Sequence, residues 1–123
     1  MRVLLVDDEE ELVSTLAERL GYRDIDARFA TSGEDALVLA RAETFDLAVL
    51  DMKMPGMGGV ELKHELEILQ PDMKFIFVTG HGSETDFKAG TAEAGREFYL
   101  IKPLRIDTLM DKMREALAER RQP

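Results

Sequence analysis

The sequence predicts an α/β fold in which a five-stranded parallel sheet is doubly wound by five helices. Four short apolar runs, at residues 3–6, 47–50, 75–78 and 98–101, have the length of buried strands and are too short for helices. Between them the apolar spacing changes to three and four, which gives helices with one buried stripe. Strands that alternate with helices are joined by crossovers, and crossovers make the strands parallel.

The elements follow in order. Val3, Leu4, Leu5 and Val6 form the first strand and run into five consecutive acids, Asp7, Asp8, Glu9, Glu10 and Glu11. Leu12, Val13, Leu16 and Leu20 mark the first helix. Ile25, Ala27 and Phe29 alternate with Asp24, Asp26 and Arg28, the period-two pattern of a half-exposed edge strand. Ser32 with Asp35 resembles a capping box and opens a helix carrying Ala36, Leu37 and Ala40. After the third strand, Leu62, Leu66 and Leu69 mark a helix that Pro71 closes. The fourth helix, residues 83–94, is the weakest, because Gly90 lies inside it and its apolar content is mostly alanine with Phe87; mobility is expected there. Beyond Pro103 the last helix carries Ile106, Leu109, Met110, Met113 and Leu117.

A length of 123 residues suits one domain, expected over residues 1–123 without a separate output domain. Apolar residues at 45% and charged residues at 33% exclude a disordered or fibrous chain. The absence of cysteine excludes disulfides and thiolate metal sites and fits a reducing compartment, so the cytoplasm is expected. No apolar run approaches the roughly 20 residues needed to span a bilayer. A net charge of -9 should repel nucleic acid and anionic membrane and recruit cations, so neither is an expected partner. Arg114, Arg120 and Arg121, near the end of the last helix, complement its dipole.

In a doubly wound sheet, ligands bind beyond the carboxyl ends of the strands. Asp7 and Asp8 follow the first strand, Asp51 the third, Thr79 the fourth, and Lys102 with Pro103 the fifth. Three carboxylates gathered there repel one another, and a hard cation such as Mg²⁺ relieves this by accepting carboxylate, water and phosphate oxygens. With Lys102 opposite, the set suits in-line transfer of a phosphoryl group to a carboxylate oxygen. Simpler roles stand beside this one. Asp7 and Asp8 precede a helix and serve equally as caps, with Glu9, Glu10 and Glu11 on its dipole. Thr79-Gly80 alone is a turn, and Lys102 alone a solvated lysine. Asp51, followed by Met54, Pro55 and a glycine-rich turn, has no helix to cap immediately.

Taken jointly, two acids after the first strand, Asp51-x-x-Met54-Pro55-x-Met57-x-Gly59 after the third, Thr79-Gly80 after the fourth and Tyr99-Leu100-Ile101-Lys102-Pro103 at the fifth resemble the response regulator receiver family, over essentially the whole chain. The resemblance implies a flavodoxin-like sheet of order 2-1-3-4-5. It also implies a signalling phosphoacceptor rather than an enzyme, one that assists its own phosphorylation and dephosphorylation. Asp51 would take a phosphoryl group from a sensor histidine kinase or phosphotransfer protein, with Mg²⁺ or Mn²⁺ held by Asp7, Asp8, Asp51 and the carbonyl of Lys53. Thr79 and Lys102 would bond the phosphoryl group, Tyr99 would turn inward behind Thr79, and the Lys102-Pro103 peptide would be cis. The face made by the fourth helix, fifth strand and fifth helix would switch to engage an output domain, a separate partner or a second copy on phosphorylation. Lys53 and His81 flank the phosphoryl position and would tune its lifetime, whereas His64, beside Glu61 and Glu65, reads as surface. The chain departs from the family pattern at Gly58-Gly59, where Asp-Gly is frequent, and at Arg96 and Phe98, which are expected on the partner face.

Three rival classes remain. A haloacid-dehalogenase-type phosphatase also uses an aspartate after an apolar strand, but its second acid, two residues on, is replaced here by Lys53. A nucleotide or flavin binder needs a glycine- or hydroxyl-rich anion cradle after the first strand, where this chain has Asp7, Asp8 and Glu9. A receiver-like module that is never phosphorylated needs none of the five chemical positions, and all are filled here.

Overall fold

The pleat divides every apolar run between two sheet faces. In the computed structural model, which describes residues 1–80, 84–94 and 98–119, the strands are β1 (Arg2–Val6), β2 (Asp26–Ala30), β3 (Leu47–Asp51), β4 (Lys74–Thr79) and β5 (Tyr99–Ile101). They alternate with α1 (Glu10–Gly21), α2 (Gly33–Ala42), α3 (Gly59–Leu69), α4 (Glu84–Ala94) and α5 (Ile106–Glu119). All strand pairs are parallel, in the order β2-β1-β3-β4-β5. Leu4, Val6, Ala48, Leu50, Phe75, Phe77 and Tyr99 face a core closed by α2 and α3 through Ala36, Leu37, Ala40, Leu62 and Leu66. Val3, Leu5, Leu47, Val49, Ile76 and Val78 face a second core, closed by Val13 and Leu20 of α1 and by Ile106, Leu109, Met113 and Ala116 of α5. Each fully buried leucine or phenylalanine contributes about 1.5–3 kcal/mol relative to exposure. Among the described residues, no helix is long and apolar enough to cross a membrane.

Local signals behave as their chemistry requires. Ser32 is the N-cap of α2, its hydroxyl accepting from the Asp35 N–H at 3.1 Å. At the far end of α3, Gln70 binds the loop between α2 and β3. Its amide donates to the carbonyls of Ala40 and Glu43, each at 2.8 Å, and its oxygen accepts from the Phe45 N–H at 2.8 Å.

Several apolar residues fall outside the cores. Leu12 and Leu69 lie at the rims of their helical stripes and are exposed, and Phe29 is exposed because β2 is an edge. The run at residues 98–101 is only partly a buried strand: β5 is the other edge, and Ile101 is 61% exposed. Phe98 is not on a partner face. It is buried in the α1/α5 core, because residues on either side of Tyr99 point away from the face that Tyr99 joins. Arg96 and Ser83 lie outside the described residues.

The fourth helix is fastened by contacts that no periodicity announces. Lys63 of α3 is buried; its Nζ reaches Glu67 Oε1 at 3.0 Å and Glu93 Oε2 of α4 at 2.9 Å, and stands 5.5 Å from the centroid of the Phe75 ring. His64, exposed as expected, meets the other Glu93 oxygen at 3.0 Å. Burial disfavours the Lys63 ammonium, but the two carboxylates outweigh it and raise its pKa. Near the middle of α4, Gly90 faces the Tyr99 ring, and Phe87 meets that ring edge-on with centroids 5.5 Å apart. Gly90 is therefore a seat for Tyr99 as well as a weak helix former.

An alanine normally improves a helix interior over glycine by up to about 1 kcal/mol. At Gly90 a Cβ would overlap the Tyr99 ring, and overpacking of this kind costs about 1–3 kcal/mol. Gly90→Ala should therefore lower the urea unfolding midpoint; an unchanged or higher midpoint would contradict the packing of Tyr99 on α4.

Candidate functional site

Strand register builds the site. Val6 pairs with Leu50 across β1 and β3, so the residues that follow, Asp7 and Asp51, stand side by side at the carboxyl edge. Thr79 lies one residue past Val78, the register partner of Asp51, and pairs with Ile101, after which comes Lys102. The Lys102 N–H donates to the Thr79 carbonyl at 2.8 Å and continues the β4–β5 ladder. The Lys102-Pro103 peptide is cis.

Asp7 and Asp51 are 7% and 6% exposed, whereas Asp8 is open to solvent. One oxygen of each of the three lies within 4.8 Å of the others, and this is the one such acidic group among the described residues. Each buried carboxylate is braced in the same way. Asp7 Oδ1 accepts from the Glu9 N–H at 2.9 Å, and Asp51 Oδ1 from the Lys53 N–H at 3.2 Å. Their other oxygens meet Lys102 Nζ, at 2.6 Å from Asp7 and 3.5 Å from Asp51. Asp7 thus braces the loop into α1 and faces the site at once, which joins the two roles that sequence left open. The N-cap of α1 is Glu9, whose side chain makes no cap hydrogen bond.

Gly58-Gly59 has a steric reason. A Cβ on Gly59 would lie 2.6 Å from the Asp51 carbonyl oxygen, and one on Gly58 3.3 Å from that of Met52. The Gly59 N–H donates to the Met52 carbonyl at 3.1 Å, so the start of α3 rests directly on the backbone that carries Asp51.

The remaining residues divide between the two faces. Thr79, 1% exposed, and Tyr99, 7% exposed, share the sheet face packed by α2, α3 and α4, two positions apart along the carboxyl edge. Tyr99 already lies inward in this structure. Lys53 is exposed, with its backbone on Asp51, and His81 lies outside the described residues. Sequence reasoning missed the contact of Glu9 with Lys102, which joins residues 93 apart, at 3.1 Å. Only the acidity of the loop after β1 hinted at it.

The sheet order, with acids at the carboxyl ends of β1 and β3 and a lysine after β5, defines a flavodoxin-like domain with an acidic carboxyl edge. The chain belongs to the response regulator receiver domain family of two-component signalling, which it matches over residues 3–114. It is 36% identical over 110 residues to a response regulator receiver protein of Anaeromyxobacter sp. (strain Fw109-5), covering 89% of this chain but only 46% of that relative. The chain thus spans less than half the length of that relative. A CheY-like receiver domain protein from Methanospirillum hungatei JF-1 superposes with a TM-score of 0.86 at 32% identity, covering 97% of this chain and 94% of the other. A response regulator from Burkholderia pseudomallei, solved with a phosphorylated aspartic acid, calcium ion and citrate, gives 0.82 at 30% identity over 96% of this chain and 69% of its own.

The donor set suits a hard divalent cation, since it offers carboxylate oxygens and no sulfur or imidazole. Burial is the largest influence on Asp51 and raises its pKa. The Lys53 N–H opposes this, Asp7 adds to it, Lys102 opposes it and Asp8 adds to it, and the net direction is upward. At Lys102 burial works against the ammonium, but the hydrogen bonds it donates to Asp7 and Glu9 outweigh this and raise the pKa.

A carboxyl whose pKa is raised holds its proton more tightly in the folded chain than in the unfolded one. Its stabilising contribution is present below the ordinary value of 3.8 and is lost as pH rises through the folded value. In metal-free protein Asp51→Asn should therefore raise the melting temperature at neutral pH, with the advantage shrinking as pH falls toward the carboxylate range. Melts in chelator across that interval check this; equal melting temperatures at neutral pH would mean that the ionised Asp51 carries no strain.

Proposed function

We propose that Asp51 is the phosphoacceptor of this receiver domain and that a sensor histidine kinase or phosphotransfer protein is the donor. The observation that carries the reading is a pair of buried acids at adjacent strand ends with one lysine between them. A carboxylate oxygen of Asp51 forms the new bond to phosphorus as the phosphorus–nitrogen bond of a phosphohistidine breaks, and the imidazole keeps the electron pair. Burial favours the protonated acid, so the nucleophilic carboxylate is maintained by its cationic surroundings.

Asp7, Asp8, Asp51 and the carbonyl of Lys53 are the residues that would hold Mg²⁺ or Mn²⁺, which supplies charge compensation at the phosphoryl oxygens. Lys102 pairs with one phosphoryl oxygen and Thr79 donates its hydroxyl to another. Lys53 and His81 tune how long the adduct lasts. Tyr99, two positions from Thr79 and on the same sheet face, carries the change to Gly90 and Phe87 of α4. Movement there alters the α4–β5–α5 face, where the exposed Phe87 and Ile101 offer apolar contacts to an output domain, a separate partner or a second phosphorylated copy. The domain acts as a phosphoacceptor that assists its own phosphorylation and dephosphorylation, in the cytoplasm, without binding nucleic acid or membrane itself.

Incubation with Mg²⁺ and acetyl phosphate, read by intact mass, should add a single phosphoryl group to the wild type and none to Asp51→Asn. A labelled Asp51→Asn protein, or an unlabelled wild type, would overturn the assignment.

A further inference from the structure

Lys102 has three carboxylate partners, and one of them lies outside the acidic group. Its Nζ reaches Asp7 Oδ2 at 2.6 Å, Asp51 Oδ2 at 3.5 Å and Glu9 Oε1 at 3.1 Å. Glu9 occupies the N-cap of α1, where a side chain ordinarily turns back onto the first free N–H groups of the helix. It makes no such bond and extends toward Lys102 instead.

The side chain is 65% exposed, and among the described residues its ion pair is with Lys102 alone. Its backbone, by contrast, is fixed at both ends. The Glu9 N–H donates to Asp7 Oδ1 at 2.9 Å, and its carbonyl accepts from the Val13 N–H at 3.1 Å. Glu9 is thus anchored within reach of the lysine by the same aspartate that shares that lysine.

On the reading that Asp51 accepts a phosphoryl group, we propose that Glu9 restrains Lys102 in the resting protein and so is a positioning residue that slows phosphorylation. Asp7 and Asp51 belong to the acidic group, where their charge is available to a divalent cation. Glu9 lies outside that group and keeps its hold on Lys102 when the others are engaged. A phosphoryl oxygen arriving at Asp51 must win the lysine from it. An exposed ion pair of this kind shifts an equilibrium by about two- to fivefold.

The test is the rate at which acetyl phosphate labels the full chain in saturating Mg²⁺, followed by intact mass over a range of donor concentrations. Glu9→Gln removes the charge and keeps the shape, whereas Glu9→Asp keeps the charge and withdraws it by one methylene. Both should label about two- to fivefold faster than wild type at saturating donor. In a Lys102→Met background the same two changes should have no effect, because the restrained group is gone. Three results overturn the proposal: Glu9→Gln labels at the wild-type rate, Glu9→Asp labels at the wild-type rate while Glu9→Gln is faster, or the acceleration persists in Lys102→Met. The last two would mean that Glu9 merely repels the anionic donor. A wild type that takes no label at all overturns the acceptor reading itself, and is distinguished from those three by its mass alone.

Discussion

Two carboxylates are buried side by side because parallel register leaves them no alternative. Once Val6 pairs with Leu50, the next residue of each strand must emerge at the same edge and on the same face. Burying an ionised acid is costly unless it is paired and hydrogen-bonded, and here both acids depend on a backbone N–H and on one shared lysine. The third acid, Asp8, stands at the mouth. Much of the nearby structure holds this arrangement in place. Gly59 lets α3 rest on the backbone of Asp51, the Thr79 carbonyl fixes the Lys102 backbone, and the loop into α1 is braced on Asp7.

The two sheet faces divide the proposed work. Asp7, Asp51 and Lys102 follow the pleat toward the side covered by α1 and α5, and Thr79 and Tyr99 toward the side covered by α2, α3 and α4. The chemistry and the route outward therefore meet at the carboxyl edge without competing for space. On the second side, α4 is fastened at two points of different character. Tyr99 sits on the bare backbone of Gly90, and Glu93 is held by Lys63 and His64. Gly90 offers the Tyr99 ring only its backbone, whereas Glu93 is held by the largely buried Lys63, whose charge is shared with Glu67.

What was legible in the sequence follows from the range of each interaction. The runs at residues 3–6, 47–50 and 75–78 announced central strands because burial on both faces demands continuous apolar side chains. Asp7, Asp8, Asp51, Thr79 and Lys102 are placed together by sequence alone, since each directly follows or ends a strand of a sheet whose order the resemblance implies. Edges were harder: the apolar character of Ile101 suggested burial, but only the position of β5 decides which of its sides is covered. Phe98 was misplaced for the same reason, as a one-residue step changes the face. Contacts such as Lys63 with Glu93 and Lys102 with Glu9 join residues 30 and 93 positions apart, so no local pattern could reveal them. The sequence marks Gly90 only as a glycine inside a helix, and its use as a seat for Tyr99 is a property of two elements and not of one.

On the proposed reading, cation occupancy of the acidic edge and modification of Asp51 favour each other. Reciprocity of coupled binding offers a direct test. Titration of Mg²⁺ by calorimetry, with and without beryllofluoride as a phosphoryl mimic, should show affinity for Mg²⁺ rising by about tenfold or more when the mimic is present, within the usual range of coupling between sites. Asp51→Asn should lose that gain. Equal Mg²⁺ affinity with and without the mimic in the wild type would contradict the account.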